Sequence, residues 1–248
     1  MNNPFYRVSR LLLLAALPAA LLTTACGSDD NDDPPAPVVE KGRLLTVHAA
    51  GNAAGSPTVT LKVLADDTEL GQLTYGQNTG YKDVNAGGRT IKVNVSSDNR
   101  TLVTQAVPVE KDKSYSLFAY ATGTAQEVAG LLLTDDLTAP VANTAKVRVV
   151  HLAYGAPSPV RLIVPPATST APPTDLTPEI AFGAGSVFVD LNASGYNLQV
   201  ATGATRTRVL DVGSRNYEAG KIYTILVQGV QGSFDQALQP KVTVIQHN

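Results

Sequence analysis

From about residue 42 onward the chain carries short runs in which every second residue is apolar. Ile91, Val93 and Val95 alternate with Lys92, Asn94 and Ser96, and Leu198 and Val200 flank Gln199. Period two sends successive side chains to opposite faces of an extended segment, so these runs predict strands with one face inward and one outward. Strands are also expected over residues 44–49, 58–65, 102–109, 115–121, 146–152, 160–164, 208–212, 222–229 and 241–246. Gly, Pro, Asn and Asp separate them, as turn chemistry requires. No segment offers a convincing amphipathic helix. Many short strands at close spacing predict an all-β chain of antiparallel β-sandwiches, Ig-like or transthyretin-like. Residues 165–178 contain five prolines and read as a long irregular loop.

The pattern occurs twice. Tyr75-Gly76 and the block Tyr81 to Val93 match, at a shift of 107, Phe182-Gly183 and Phe188 to Val200 without a gap. Val47-His48 matches Val150-His151, and Lys113-Ser114-Tyr115 matches Lys221-Ile222-Tyr223. Each copy spans about 100 residues, an ordinary domain size. The expected units are residues 42–140 and 141–248, with the boundary near Thr138 to Asn143. Within each copy Asn85-Ala86-Gly87-Gly88 and Asn192-Ala193-Ser194-Gly195 read as a hairpin turn, with Gly88 and Gly195 supplying a positive φ.

The first 25 residues have a different character. Arg7 and Arg10 precede the 12-residue apolar run Leu11 to Leu22, and Thr23-Thr24-Ala25 leads to Cys26. A basic head, a short apolar middle and a small-residue exit describe a secretory signal, and the run is shorter than the roughly 20 residues of a spanning helix. Cys26 is the only cysteine of the 248 residues. Leu22 to Gly27 resembles the bacterial lipobox, with Thr23 where leucine is usual. That resemblance implies cleavage before Cys26 and palmitate-type acylation of it, hence attachment to a membrane. Residues 26–41 are acidic and then proline-rich, the composition of a solvated tether. With Gly27 after the cysteine, the resemblance implies an outer-membrane destination in the cell envelope, its face left open. Without Arg7 and Arg10 the chain carries 17 basic and 21 acidic residues, a net charge of −4. No basic tract is present, which argues against nucleic acid as a partner.

The segment Lys146-Val147-Arg148-Val149-Val150-His151-Leu152-Ala153-Tyr154-Gly155-Ala156-Pro157 resembles the opening of a bacterial family, domain of unknown function 4397. That opening is a V-R-V-x-H strand followed by a short turn ending in Ala-Pro. Ala181-Phe182-Gly183 and the turn from Phe188 to Tyr196 are similar to later family features. The first copy keeps Val47-His48, Tyr75-Gly76 and the Asn85 to Gly88 turn. The family's Ser-Pro-Asp after the histidine is Ala153-Tyr154-Gly155 here, and Arg161 replaces an acid common in its second strand. The resemblance implies secreted or envelope-anchored β domains, often in tandem, and no established reaction.

The candidate chemistry is sparse. Of the histidines His48, His151 and His247, the first two are equivalent, one per copy. Each reads either as a half-buried strand-end histidine bonded to a loop carbonyl, or as a ligand-facing or pH-sensitive group at the mouth of its sandwich. With Tyr154 they are the candidate ligand-facing residues. No His-x-His, His-Glu-x-x-His or cysteine cluster occurs, so no metal or cofactor is expected. Asp83 with Asn85, and Asp190 with Asn192, fit turn chemistry better than calcium, which needs six to eight oxygens. Gly-x-Ser-x-Gly is absent, and no residue is assigned as catalytic. Tyr75, Tyr81, Tyr154 and Tyr196 are candidates for stacking on sugars. The leading expectation is a non-enzymatic envelope lipoprotein, a binding or structural module. One alternative is a carbohydrate- or protein-binding adhesion accessory on extracellular polymer. Another is a hydrolase with a site between the copies around His48 and His151.

Overall fold

The computed structural model describes residues 39–51, 53, 58–123, 127–166, 168 and 171–248. The expected signal segment 1–25, Cys26 with its acylation, and the tether up to residue 38 lie outside the described residues. The first strand opens at Lys41, at the end of the segment read as tether.

The first half contributes β1 (Lys41–Ala49), β2 (Leu61–Ala65), β3 (Thr68–Leu73), β4 (Asn78–Asn85), β5 (Gly87–Val95), β6 (Thr101–Val109), β7 (Ser114–Ala121) and β8 (Val128–Asp135). The second contributes β9 (Thr144–Tyr154), β10 (Val160–Val164), β11 (Thr174–Asp175), β12 (Ala184–Gly185), β13 (Val189–Asn192), β14 (Ser194–Thr202), β15 (Thr207–Tyr217), β16 (Ile222–Val230) and β17 (Lys241–Gln246). A short 3-10 turn, Gln236–Leu238, precedes β17. The described residues are all-β, as the period-two pattern predicts.

Each half forms two sheets. In the first half they run β4-β1-β7-β8 and β3-β2-β5-β6. In the second they run β12-β9-β16-β17, with β13 also on β9, and β11-β10-β14-β15. The connectivity is the same in both. The alternating strands behave as their pattern requires: Ile91, Val93 and Val95 point into the first core, and Leu198 and Val200 into the second.

Three apolar clusters organise these sheets. One fills the first sandwich and another the second. The third lies between the sandwiches and joins Leu45, Val47, Ala49 and Phe118 to Val150, Leu152, Leu226 and Ile245. The β1 and β9 sheets are therefore covered on both faces, and the described residues form a stack of four sheets. This is why β1, β7, β9 and β16 read as nearly unbroken buried runs: a strand buried on both faces has no polar side to show.

The structure departs from the expected antiparallel pattern in one ladder per half. β1 pairs with β7 in parallel, and β9 with β16 likewise. The Asn85–Gly88 segment is not a hairpin. β4 pairs with β1 whereas β5 pairs with β2 and β6, so the segment is a corner at which the chain changes sheets. The corner's positive φ falls on Gly87 (112°), and neither Gly88 nor Gly195 has one. The Ala86 amide donates to the Glu40 carbonyl, and the Ala193 amide to the Asn143 carbonyl, which ties each corner to the chain entering its first strand. Part of the proline-rich segment pairs with its sheet. β11 pairs with β10, and Asp175 takes a bidentate contact from Arg206 and a further one from Arg161, which also binds Glu179.

Candidate functional site

His48 and His151 occupy the same place near the ends of β1 and β9, but they do not meet. His48 lies on the Leu44 face of its strand, toward the first core, and His151 on the face of Val147 and Val149, toward the second. Both are enclosed, at 1% and 0% exposure, rather than placed at a solvent-facing mouth. The His48 Nε2 is 3.2 Å from the Val59 carbonyl, and its ring stands edge-on to Tyr75 at 5.9 Å. His151 stands in the same way against Phe182, also at 5.9 Å. Its ring nitrogens reach no hydrogen-bond geometry, although the Pro157 carbonyl acts on the ring. Burial pushes His48 down to about 4, against a weaker opposing pull from the Val59 carbonyl. His151 is lowered for the same reason, with Pro157 opposing. Both imidazoles are thus neutral packing groups at neutral pH. Tyr154, half-buried at the end of β9, packs edge-on against Phe182 at 6.0 Å.

The largest concentration of polar chemistry lies elsewhere, between the two sandwiches. Arg148 points from β9 toward the β1 sheet, and Asp135 ends β8. They form an ion pair at 2.8 Å, with side-chain exposures of 2% and 0%. The Arg148 Nε donates to Thr224 Oγ1 at 2.8 Å, and its Nη2 to Ser116 Oγ at 3.3 Å. Ser116 and Tyr81 each donate to Asp135 Oδ2 at 2.6 Å. His247, just past β17, closes the arrangement, with Nδ1 2.8 Å from the Tyr81 hydroxyl and Nε2 2.7 Å from Thr224 Oγ1. Phe188 lies under the Arg148 guanidinium at 4.4 Å and packs edge-on against His247 at 5.6 Å.

Donor counting orders the protons in this ring. The one Tyr81 proton goes to the carboxylate, which only accepts, so the Tyr81 oxygen accepts from His247 Nδ1–H. His247 Nε2 then accepts the Thr224 proton, and Thr224 accepts from Arg148. Hydrogen bonds thus run from Arg148 through Thr224, His247 and Tyr81 to Asp135, and the ion pair closes the loop. A second proton on His247 would leave the Thr224 hydroxyl hydrogen without its acceptor and set a cation beside Arg148. Accordingly His247 is pushed down to about 4, by burial first and then by the Arg148 charge. Tyr81 is raised, by burial and then by the Asp135 charge, and stays a donor.

Among the described residues near the sandwich interface, Ser116, Asp135 and His247 form a grouping whose residue types suggest a hydrolase. Their arrangement does not serve that chemistry. Ser116 donates to the carboxylate, and His247 touches Tyr81 and Thr224 instead of the serine. A serine nucleophile needs a base in direct contact and access for substrate, whereas Ser116 is fully buried. Beside the ring a groove of about 530 Å³ is lined by Arg43, Lys113, Ser114, Asp135 and Asp136. Nearby, Lys146 Nζ holds Asp136 at 2.8 Å, and that bond, with those from the Thr138 hydroxyl and amide, pushes Asp136 down to about 2. Asp83 makes an exposed ion pair with Lys41 at 3.6 Å, and Asp190 accepts from Thr144 at 3.5 Å.

Fold and site define an all-β protein of two face-to-face sandwiches joined by a buried polar ring. Comparison with known sequences adds a family match: the family described as "Domain of unknown function (DUF4397)" matches residues 46–159. The match begins in β1, crosses the linker and ends just short of β10. No curated protein matches the chain. Among solved structures, it is similar to the C-terminal domain of AlgF from P. aeruginosa (18% identity, TM-score 0.29, 42% of this chain and 98% of that one). It is also similar to CBMbc, a family CBM26 domain of Eubacterium rectale Amy13K solved with maltoheptaose (11%, 0.24, 83% and 96%). A third is the tip fimbrial protein Mfa3 from Porphyromonas gingivalis (8%, 0.22, 82% and 99%). At these TM-scores none of the three bears on function.

Proposed function

We propose that this protein is a non-enzymatic lipoprotein of the cell envelope, acylated at Cys26, in which two copies of one β-sandwich (residues 42–140 and 141–248) form a binding or structural module. The observation that carries the reading is the use made of the reactive side chains. His48 and His151 are neutral, enclosed and in separate cores, and Ser116, Asp135 and His247 are committed to a ring of mutual hydrogen bonds. Two-copy organisation draws support from repeated details of geometry. The connectivity is common to both halves, each has a His–aromatic pair at 5.9 Å, and each has a tyrosine bonded to the backbone before its strand. The Tyr115 hydroxyl takes the Glu110 amide at 3.2 Å, and the Tyr223 hydroxyl the Glu218 amide at 3.3 Å, the device known as a tyrosine corner.

The test is metabolic labelling of the whole chain with a clickable palmitate analogue, beside a Cys26→Ala variant and a His48→Ala/His151→Ala variant. Label on the parent, its loss in Cys26→Ala and unchanged glycan- or protein-array binding in the double variant are expected. A parent that never takes label removes the anchor. A turnover abolished by the two histidine changes would make the protein an enzyme.

A further inference from the structure

The residues that meet across the two sandwiches occupy equivalent positions of the two halves. The ladders establish this independently of sequence similarity. β1 runs with β7 as β9 runs with β16, which sets Leu45 against Arg148 and Ser116 against Thr224. Ser114 faces Asp135 across β7 and β8. Ile222, which holds the place of Ser114, accepts the His247 amide at 2.9 Å, so His247 holds the place of Asp135. Tyr81 and Phe188 correspond in the same way. The polar ring is thus four pairs of equivalent positions gathered at one interface, each pair filled by two different residues.

The flanking contacts are reciprocal. The Tyr75-Gly76 turn of the first half approaches Gln228 of the second, and a Cβ on Gly76 would stand 3.6 Å from the Gln228 amide. The Phe182-Gly183 turn of the second half approaches Tyr120 of the first, with a Cβ on Gly183 2.9 Å from its hydroxyl. Tyr120 and Gln228 are equivalent positions. One turn touches the other half's strand, and the second turn returns the same contact. This reciprocity is the signature of a two-fold, isologous interface.

An isologous face has a built-in hazard, because it is complementary to itself. We infer that the ring is a pairing lock, which makes the outer face of the β1 sheet accept the outer face of the β9 sheet of this chain and reject a second copy of itself. Two first halves set face to face would bring together two Asp135 carboxylates and no buried guanidinium, since Arg43, 5.3 Å over the Tyr81 ring, is exposed. Two second halves would bring together Arg148 with Arg148 and His247 with His247, with no carboxylate. Only the mixed pairing supplies one anion, one cation and an uninterrupted sequence of donors and acceptors. On this view the buried charges select the partner, and the surrounding apolar residues Leu45, Val47, Val150, Leu152 and Leu226 supply the adhesion.

Two variants of the full chain test the inference. The first gives the second half the residues of the first: Arg148→Leu, Thr224→Ser, His247→Asp and Phe188→Tyr. The second removes the polarity without duplicating it: Asp135→Leu, Arg148→Met, Ser116→Ala, Tyr81→Phe, Thr224→Val and His247→Phe. Proteolysis at the exposed linker, residues 136–143, reports opening of the interface, and hydrogen exchange in β5 and β14 reports the two inner cores. The matched variant is expected to be cut roughly tenfold faster than the parent while β5 and β14 keep their protection. The apolar variant is expected to match the parent in both. A matched variant cut at the parent's rate overturns the lock. So does an apolar variant that opens equally, which would make the ring an adhesive instead of a selector. Loss of protection in β5 and β14 of the matched variant also overturns it, since the interface would then be inseparable from folding of the halves. None of these outcomes bears on Cys26 labelling or on ligand binding.

Discussion

Removing the positive end of the buried pair is the most direct test of the structure. In Arg148→Leu the Asp135 carboxylate, at 0% side-chain exposure, keeps the Ser116 and Tyr81 hydroxyls but loses its cation. Breaking one partner out of a buried pair costs about 3–5 kcal/mol. The two remaining hydroxyl donors place this case near the lower end, and loss of the Phe188 contact adds roughly 1 kcal/mol. With an m-value of about 2.5 kcal/mol/M, a loss of about 4 kcal/mol moves the urea midpoint down by about 1.6 M. The chain has no tryptophan, so the transition is followed by circular dichroism. A double substitution separates charge from packing. Asp135→Leu/Arg148→Met should recover most of the loss, because two apolar residues leave no charge unpaired. A midpoint shift below about 0.4 M, or a double variant no more stable than Arg148→Leu, refutes the assignment of a charged, desolvated pair.

Three further outcomes follow from single sites. His48 and His247 each fall from 6.5 to about 4 on folding, so the unfolded chain takes the proton first; stability is full above pH 6.5 and declines toward pH 4, by up to about 3 kcal/mol per group. Thermal melts between pH 7 and 4 measure the slope, and His48→Phe should flatten its share. Tyr115→Phe keeps the ring but strands the Glu110 amide and the Pro108 carbonyl, at a cost of about 1–2 kcal/mol in urea unfolding, and Tyr223→Phe loses its Glu218 contact at a similar or smaller cost. Gly229→Ala combines a φ of 124° with a Cβ 2.6 Å from the Gln239 carbonyl oxygen and should lower the melting temperature by roughly 10 °C, while Gly195→Ala, which meets nothing within 4 Å, should leave it unchanged.

The strands legible in the sequence were those with one polar face. β10 and β17 fall where alternation and turn residues put them, at 160–164 and 241–246. β3 and β8 escaped for opposite reasons. Thr68 to Leu73 is polar enough to pass for a loop, because it is an edge strand with little to bury. Leu131-Leu132-Leu133 shows no alternation because its residues divide between two cores, Leu132 toward the first sandwich and Leu131 and Leu133 toward the interface. The corner at Asn85–Gly88 was misread as a hairpin because glycine and asparagine mark a change of direction without saying whether the chain returns to the same sheet.

The ring went unread although one strand held its signal. In β9, Val147, Val149 and His151 share one face, which leaves Arg148, Val150 and Leu152 on the other. A face carrying Val and Leu beside a lone arginine has to be covered, and a covered arginine has to find an anion. The reasoning reaches that far from sequence: it requires a second sheet over β9 and a buried acid on it. It cannot say that the acid is Asp135, because no local pattern ties residue 135 to residue 148 across a turn that changes sandwiches. The partner is supplied by the two-fold relation between the halves. That relation places the end of β8 opposite β9, as it places the end of β17 opposite β4. Tertiary symmetry, not local composition, therefore determines which of the chain's 21 acidic residues neutralises the buried guanidinium.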